Sequence, residues 1–318
     1  MSALVVVDHH DGAPRASALE LLTAARALGA PHAVWFGDDA ASAAAVLAEF
    51  GAVAVHTVAV PSREAGLPPA VASALARLAD EVGATTVLLA STFENKEVAA
   101  RLALTLDAGL VVDASGVELV DGRVETTQQA FAATWTLRGA VLRERAVVTL
   151  KSNAVRAVPV DAPVEPELRD HGAATAPDDR VQVVERTARP SSGRPDVGEA
   201  QVVVVGGRGT GGDFDVVLDL ADALGGAVGA TRDATDEGWI EHEAMVGQTG
   251  ASISPRLYVG VGVSGAVHHR GGMQASGTIV AVNNDPDAPI FEIADFGVVG
   301  DLFEVVPQAA AEIRRLKG

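Results

Sequence analysis

A glycine-rich segment follows a short apolar run in the second half of the chain. It reads Gly207-Arg-Gly-Thr-Gly-Gly212, after a predicted strand at Gln201–Val205 and before a predicted helix at Phe214–Leu224. A G-x-G-x-x-G spacing between a strand and a helix is typical of a dinucleotide-binding turn, whose glycines let the backbone approach a pyrophosphate at the helix amino end. The alternative interpretation is a flexible turn without a ligand.

The end of the next predicted strand, Ala227–Ala230, does not match an ordinary NAD site. Such sites usually carry Asp or Glu there to hold the ribose hydroxyls, whereas this chain has Thr231 and Arg232. Two alternatives stay open. Either Arg232 binds a 2′-phosphate, as in an NADP-dependent oxidoreductase, or a nucleotide is bound in a different geometry.

Two further loops combine small and polar residues. Val246-Gly-Gln-Thr-Gly250 offers an amide and a hydroxyl, from Gln248 and Thr249, to a heteroaromatic ring. In Val261-Gly-Val-Ser-Gly-Ala-Val-His-His269, small residues free Ser264 and nearby N–H groups to face an anion. The alternatives without a ligand are an ordinary turn for the first loop and surface-exposed histidines for the second.

Other polar residues in or near these loops also have both a ligand-binding and a purely structural interpretation. Adjacent helical residues point about 100° apart, so we expect at most one of His268 and His269 to face a site. Asn283, at the end of a predicted strand, either contacts a nucleotide or forms a turn with Asp285-Pro286. Asp301 precedes the last predicted helix and has a plain interpretation as its N-cap.

Composition excludes several classes of function. The chain has no cysteine, which removes thiolate catalysis and iron–sulfur ligation, and its eight histidines form no H-x-x-x-H metal frame. Its net charge of −18 argues against nucleic-acid binding, because such proteins present a basic surface to phosphate. The polar loops contain no evident nucleophile or acid–base pair. We therefore predict that a bound cofactor supplies the chemistry.

The first half of the chain alternates short apolar runs with helical patterns. Strands alternating with helices of 10 to 15 residues predict a mostly parallel sheet. Predicted strands are Leu4–Asp8, Ala33–Phe36, Ala54–Val58 and Thr86–Ala90, and predicted helices are Ala16–Leu28, Ala40–Phe50 and Pro69–Val82. From Val117 to Val158, residue alternation and turn signals predict antiparallel strands that close this domain. A further strand at Val181–Arg189 is an added expectation.

A proline- and glycine-punctuated stretch, Pro190–Asp196, is the best candidate for a linker. We therefore predict an α/β protein of two domains, an N-terminal domain at 1–190 and a C-terminal doubly wound domain at 191–318. The predicted elements after the linker also include strands at Leu257–Val263, Thr278–Asn283 and Ile290–Ala294, and helices at Gly265–Gln274 and Leu302–Leu316. In such a domain we expect the ligand at the carboxyl ends of the strands.

The second half resembles the alpha-subunit family of electron transfer flavoproteins. The resemblance covers about the last hundred residues densely and the first domain more loosely, at Leu88-Leu-Ala-Ser91, Arg101 and the stretch to Asp113. The blocks that carry it are Gly207-Arg-Gly, Gly229-Ala-Thr-Arg232, Val246–Gly250, Gly262–His269, Ile279–Asn283, Asp287–Phe291 and Gly300–Pro307.

The resemblance implies that the chain is an electron carrier and not itself an enzyme, and that its second domain binds FAD. The residues that it places around the cofactor are Arg208, Thr231, Ser264, Gly265, Ala266, Val267, His268, His269, Asn283, Asp301 and Leu302. It further implies that Val246, Gly247, Gln248 and Thr249 lie along the isoalloxazine, with the Thr249 hydroxyl near N5. Arg232 is expected over the ring. His269 is expected near the pyrimidine carbonyl, where it would add a charge when protonated.

The resemblance also implies partners. These are a beta subunit that carries AMP, acyl-CoA dehydrogenases and related flavin dehydrogenases as electron donors, and a quinone-linked oxidoreductase as acceptor. The chain departs from the family where Thr231 replaces Ser, His268 replaces a frequent Gln and Ala251 replaces a frequent Lys. We expect a cytoplasmic protein without membrane insertion. An NADP-dependent oxidoreductase and a nucleotide-binding sensor stay as alternatives.

Overall fold

The computed structural model describes residues 2–38, 40–59, 67–173, 183–185, 187 and 193–317. The chain divides into two compact units, one formed by Met1–Gln128 with Thr136–Ala188 and the other by Gln129–Trp135 with Arg189–Gly318. Within the described residues, no helix combines the length and the hydropathy needed to cross a lipid bilayer.

The first unit is built on a nine-stranded sheet with the order β11-β5-β4-β1-β6-β10-β7-β8-β9. Its strands are β1 Ser2–Val6, β4 Ala30–Phe36, β5 Ala54–Ala59, β6 Ala84–Ala90, β7 Gly109–Val120, β8 Arg123–Ala130, β9 Trp135–Ala140, β10 Ala146–Leu150 and β11 Glu167–Ala173. A small hairpin joins β2 His9–His10 to β3 Ala13–Pro14, and the helices are α1 Ala16–Ala25, α2 Ala40–Glu49, α3 Pro68–Val82 and α4 Phe93–Leu106.

Burial on both faces explains why β1 is a central strand. Ala3 and Val5 belong to one apolar cluster, and Leu4 and Val6 belong to the cluster on the opposite face. Successive side chains of a strand point to opposite faces, so an uninterrupted apolar run suits a strand covered on both sides. β1 pairs in parallel with β4 and β6, as the alternating pattern predicts.

Two features of the first unit differ from the prediction. The helix α4 was not predicted, because its apolar residues are interrupted by charges; its start is fixed by Thr92, whose hydroxyl accepts from the Asn95 N–H at 3.1 Å. Strand β10 lies inside the predicted antiparallel block but pairs in parallel with β6 and β7. The antiparallel register in that block joins β7 and β8.

The strand that extends the first sheet beyond β5 is β11, parallel to β5. The predicted strand Val181–Arg189 falls mostly on residues outside those described. Two exposed edges, β9 and β11, therefore bound the sheet.

The second unit is a five-stranded parallel sheet with the order β13-β12-β14-β15-β16. Its elements are β12 Val202–Gly206, α5 Asp215–Leu224, β13 Ala227–Ala230, α6 Arg232–Asp236, β14 Leu257–Val261, α7 Val267–Met273, β15 Thr278–Asn283, β16 Phe296–Val299 and α8 Leu302–Lys317. Val204 packs on one face of the sheet, and Val203 and Val205 pack on the other. This confirms the doubly wound fold.

The predicted strand at Ile290–Ala294 is wrong. Pro289–Glu292 forms a 3₁₀ helix, because Pro289 begins a short turn and the Phe291 N–H donates to Ala288 O at 3.0 Å. The edge strand of the sheet is instead Phe296–Val299, which pairs with β15. An apolar run of this length does not distinguish the two by periodicity alone.

Candidate functional site

A cavity of about 370 Å³ lies in the second unit at the carboxyl ends of its strands. From β12 the chain passes to β13 on one side, and the later strand β14 lies on the other side. Loops that leave neighbouring strands in opposite directions open a crevice, which is where doubly wound domains bind ligands. The fold thus places the cavity where the sequence pattern predicts a site.

Most of the residues expected around a cofactor line this cavity. They are Arg208, Thr231, Arg232, Val246, Gly247, Gln248, Thr249, Ser264, Gly265, Ala266, His268, His269 and Asn283. They come from separate loops, so the fold gathers segments up to 75 residues apart, from 208 to 283, around one space. Their contacts with a cofactor stay a prediction.

Three expected residues are not part of the cavity wall. Val267 is the first residue of α7 and is exposed. Asp301 accepts the Phe303 N–H at 2.8 Å, the N-cap arrangement that was the plain interpretation of this residue. Leu302 is buried in the apolar core beside α8.

Other lining residues were not among the expected cofactor contacts. They are Gly209, Asp233, Met245, Gly262, Val263, Asp285, Ala288 and Pro289. Gly262, Val263, Ala288 and Pro289 fall within blocks that resemble the family, and Gly209 falls within the glycine-rich motif. Asp233 and Met245 carry no such signal, because their place depends on how α6 and the following loop fold.

The glycines of the 207–212 segment serve packing between loops. A Cβ at Gly207 would lie 2.3 Å from Gly262 O, and one at Gly209 would lie 2.8 Å from Gly262 Cα. The Gly209 N–H also donates to Gly262 O at 2.9 Å. The first two glycines therefore let this turn approach the loop after β14, and the spacing by itself does not indicate NAD or NADP.

A second close approach fixes the loop before α7. Gly265 has a φ of +85°, and a Cβ there would lie 2.4 Å from Ile290 N. The Ile290 N–H donates to Ser264 O at 3.0 Å. The left-handed backbone and the missing side chain together hold the Ser264–Ala266 loop against the 3₁₀ helix, with Ser264 exposed to the cavity.

Two polar side chains of the cavity wall also join its loops. The Asn283 amide donates to Val263 O at 2.9 Å, and its Oδ1 accepts the Asp285 N–H at 3.0 Å. His268 and Gln248 are linked twice, through His268 Nδ1 and Gln248 Oε1 at 2.9 Å and through the Gln248 N–H and His268 O at 2.9 Å. The histidine found in place of the frequent Gln thus supports the 246–250 loop.

His269 is buried and neutral. Its Nδ1 lies 2.9 Å from Val246 O, and its Nε2 lies 2.7 Å from the Tyr258 hydroxyl. Burial lowers the pKa of His269 to about 4, against a smaller opposite effect of the hydrogen bond to Val246. A dry site disfavours the imidazolium, so the charge that His269 would add if it were protonated is not expected at neutral pH.

Arginine side chains provide the positive charge at the cavity. Arg232 Nε lies 3.1 Å from Asp236 Oδ2, and Arg208 Nη1 lies 3.8 Å from Asp233 Oδ2. Both pairs are exposed, so each carboxylate compensates its arginine only weakly. Both guanidinium groups can turn toward an anionic ligand.

The Thr231 side chain is the clearest sign that the cavity suits a cofactor. Its Oγ1 is buried and has no hydrogen-bond partner among the described residues. A buried hydroxyl without a partner costs about 1–3 kcal/mol, and a polar ligand in the cavity would remove that cost. With the exposed Ser264 and the two arginines, this hydroxyl makes a donor set that fits the phosphates and ribose of FAD.

Nothing in the described residues gathers three or more His, Asp or Glu side chains around a point that could hold a metal ion. The polar groups that line the cavity are mainly hydroxyls, amides, backbone groups and guanidinium groups. That set matches recognition of an organic cofactor.

Comparison with known proteins agrees with this geometry. Residues 196–274 match the electron transfer flavoprotein FAD-binding domain, and residues 3–185 match the electron transfer flavoprotein domain. The first matched segment contains the loops at 208, 231–232, 246–249 and 264–269. The FAD cofactor expected from the resemblance is thus confirmed for the domain that holds the cavity.

Full-length relatives are similar over nearly the whole chain. The chain is 42% identical over 320 residues to the electron transfer flavoprotein subunit alpha of Mycobacterium leprae, covering 99% of both chains. It is 36% identical over 310 residues to the subunit alpha of Thermoanaerobacterium thermosaccharolyticum, covering 94% of both. To a probable mitochondrial subunit alpha of Cryptococcus neoformans var. grubii it is 37% identical over 325 residues, covering 99% of this chain and 92% of that one. The chain therefore belongs to the alpha-subunit family of electron transfer flavoproteins.

Proposed function

We propose that this chain is the FAD-carrying subunit of a heterodimeric electron carrier. In this proposal it takes electrons from flavin dehydrogenases of the acyl-CoA dehydrogenase type and passes them to a quinone-linked oxidoreductase. Its partner is a beta subunit that carries AMP. The relatives' shared name, subunit alpha, supports a two-subunit assembly, and the bacterial relatives support a cytoplasmic location.

The observation that carries the proposal is the buried, unpartnered Thr231 hydroxyl in a cavity at the switch point of an FAD-binding domain. When bound, FAD supplies the electron-transfer chemistry. The protein binds and orients it. We assign phosphate recognition to Arg208 and the Ser264–Ala266 loop, and contact with the flavin ring to the Val246–Thr249 loop.

Arg232 has the role of a fixed cation in this proposal. Reduction of a flavin without protonation adds negative charge, and a guanidinium beside the ring stabilises that charge. His269 does not serve as a proton donor to the flavin, because both of its ring nitrogens are already hydrogen-bonded to the protein. The chain thus contributes orientation and charge, which is what a carrier without its own substrate reaction requires.

The test is to express the chain together with a beta subunit and to characterise the purified complex. We expect a yellow complex with one FAD per heterodimer, reduced by an acyl-CoA dehydrogenase with its substrate and not by NADPH. A complex that binds no flavin, or that is reduced directly by NADPH, would contradict the proposal and favour the oxidoreductase alternative.

A further inference from the structure

A buried tyrosine lies behind the cavity wall and does not itself line the cavity. Tyr258, in β14, has no exposed surface and packs in the same apolar cluster as Val246. Its hydroxyl lies 2.7 Å from His269 Nε2. A buried tyrosine hydroxyl usually finds one hydrogen-bond partner, and here the partner is a residue of the cavity wall.

The hydrogen-bond directions along this chain are determined by chemistry. Val246 O is a carbonyl and only accepts, so His269 Nδ1 carries the proton. A neutral imidazole has one N–H, so Nε2 is an acceptor and the Tyr258 hydroxyl donates to it. Burial also raises the pKa of Tyr258, which keeps this hydroxyl protonated.

The other end of the chain of bonds reaches the cavity loops. The Val246 N–H donates to Ala230 O at 2.9 Å, immediately before Thr231. Val246 also begins the loop that carries Gln248 and Thr249. One series of bonds thus connects Tyr258, His269 and Val246 to the end of β13.

The sequence makes room for this tyrosine. A Cβ at Gly260 would lie 3.1 Å from Tyr258 Cε1 and 3.2 Å from its hydroxyl oxygen. Residues two apart on a strand share a face, so Gly260 leaves the space along which the ring lies. The Tyr-Val-Gly order in β14 therefore positions the hydroxyl at His269.

We propose that Tyr258 is a positioning residue for the cofactor: its hydroxyl donates to His269 Nε2 and holds the imidazole in the orientation in which Nδ1–H fixes the Val246 carbonyl and the Val246–Thr249 loop against the flavin. The proposal rests on the proposed FAD site for its effect on binding, but not for its effect on the imidazole. The groups that face the imidazole are the Tyr258 hydroxyl and the Val246 carbonyl, and burial rather than a charged side chain governs its protonation.

The first test is nitrogen-15 NMR of the histidine side chains in the full chain without FAD. In the parent protein we expect His269 to show the Nδ1–H tautomer alone at pH 7. In Tyr258→Phe, which keeps the ring and removes the donor, the Val246 carbonyl still favours a proton on Nδ1. We therefore expect a shifted Nε2 signal, broadened His269 signals and a weaker hydrogen bond from Nδ1–H to Val246 O. An unchanged Nδ1–H hydrogen bond and unbroadened His269 signals in Tyr258→Phe would overturn the proposal, whatever the protein does with FAD.

The second test is a double-mutant cycle measured as FAD affinity. We expect Tyr258→Phe to raise the Kd for FAD about tenfold in the parent, and less than twofold when His269→Asn is already present, because Asn keeps a donor for Val246 O but has no Nε2. Equal increases in both backgrounds would show that Tyr258 acts only through packing and would overturn the proposal.

Gly260→Ala provides an independent variant that leaves both partners in place. It crowds the tyrosine ring and is expected to weaken the same hydrogen bond from His269 Nδ1–H to Val246 O as Tyr258→Phe, with a smaller loss of FAD affinity. Unaltered His269 signals in Gly260→Ala together with weakened FAD binding would count against the proposal. If the parent chain bound no FAD, the proposed function would fail while the NMR measurement still decided the role of Tyr258.

Discussion

The two units share an architecture but use the carboxyl ends of their strands differently. In the first unit, Ser91 donates to Asp113 at 2.6 Å, and Lys96 Nζ lies 2.8 Å from the same carboxylate. In the second unit, the Thr231 hydroxyl is unpartnered within the described residues and Ser264 is exposed to a cavity. The comparison teaches that a doubly wound sheet becomes a binding site where its loops leave polar groups for a ligand.

The cluster in the first unit is an internally compensated charge network. Burial on its own would raise the pKa of Asp113, but hydrogen bonds from Lys96 and Ser91 outweigh it and hold that pKa below the usual range. Asp113 also has a φ of +57°, a strained conformation that the surrounding bonds maintain. These polar residues are therefore paired with one another within the first unit.

The largest effect on FAD binding is expected from a substitution at Gly265, in the loop that lines the cavity of the second unit. In Gly265→Ala the new Cβ meets Ile290 N, and the left-handed backbone is strained by about 1–3 kcal/mol. We expect loss of stoichiometric FAD, measured by flavin absorbance, together with a lower melting temperature. The structure thus predicts destabilisation as well as flavin loss, because the loop cannot move without the 3₁₀ helix.

Gly211→Ala is the matched control for that variant. Gly211 has a φ of +59°, but a Cβ added there would meet no atom within 4 Å, and the residue does not line the cavity. The same backbone strain should therefore lower stability slightly while FAD stays bound. Equal FAD loss in both variants would show that backbone strain, and not the fit of the 264–266 loop, controls binding.

The next effect concerns three hydrogen-bonded histidines of the first unit, of which His56 is buried. His32 Nδ1 lies 2.9 Å from His56 Nε2, and His56 Nδ1 lies 2.8 Å from His171 Nε2. His171 also faces Glu81, and Arg169 and Glu167 lie near the chain of imidazoles. Burial, followed by the neighbouring histidines and Arg169, lowers the pKa of His56 to about 4.

Because this pKa is lower in the folded state, the unfolded chain binds more protons between about pH 6.5 and 4. The contribution to stability is complete above pH 6.5 and is lost as the pH falls through the folded pKa, by on the order of 2 kcal/mol. Amide hydrogen exchange of β5 at pH 7 and pH 5 measures it. His56→Asn, which does not titrate, should flatten this pH dependence; an equally steep dependence would contradict the assignment.

Two threonines, one in each unit, allow a direct comparison of a hydrogen-bonded hydroxyl with an unpartnered one. In the first unit, the Thr149 hydroxyl accepts the Asp113 N–H at 3.0 Å and contacts Ser91 Oγ at 2.9 Å. In the second, Thr231 has no such partner among the described residues. Thr149→Val should lower the free energy of unfolding by about 1–3 kcal/mol and leave FAD affinity unchanged, because it orphans buried polar groups.

Thr231→Val should weaken FAD binding without lowering the stability of the FAD-free chain, the opposite of Thr149→Val. Removal of an unpartnered hydroxyl leaves the stability of the FAD-free chain unchanged or slightly higher, while the Kd for FAD rises about 2- to 10-fold, the value of one hydrogen bond. Chemical denaturation and FAD titration of both variants measure the contrast. If both valine variants lowered stability alike, Thr231 would have to be a structural residue like Thr149.

Sequence reasoning predicted strands with continuous apolar runs and loops with glycine clusters. Thr278–Asn283 and Ala227–Ala230 matched their predicted bounds, because buried parallel strands are apolar without interruption. The helix α4 was missed, since Asn95 and Lys96 interrupt its apolar stripe. The strand β10 was placed in the wrong pairing, because an apolar run does not reveal the direction of its neighbour.

The site was predictable at the level of loops but not of individual contacts. Thirteen expected positions line the cavity because they occupy the loops after β12 to β15. The neutral state of His269 was not predictable, since it depends on the burial of the imidazole, which periodicity does not reveal at this position. The packing of Gly207 against Gly262 likewise depends on two loops 55 residues apart that only the sheet order brings together.

The smallest expected effect is that of Arg232 on the flavin reduction potential. Its side chain is exposed and lies 3.1 Å from Asp236, so solvent screening and the carboxylate weaken its field at the ring. We expect Arg232→Ala to lower the potential by about 10–40 mV, which corresponds to the roughly 0.2–1 kcal/mol typical of exposed charges.

Arg315→Ala is the control, because Arg315 has similar exposure and a local acidic partner, Glu312, but does not line the cavity. Spectroelectrochemical titration of both variants at low and high salt measures the difference. A shift in potential for Arg232→Ala that shrinks with salt and is absent from Arg315→Ala supports a cation beside the ring. Equal potentials in the parent and Arg232→Ala would show that Arg232 is a surface residue, and Arg208 would then be the positive charge of the site.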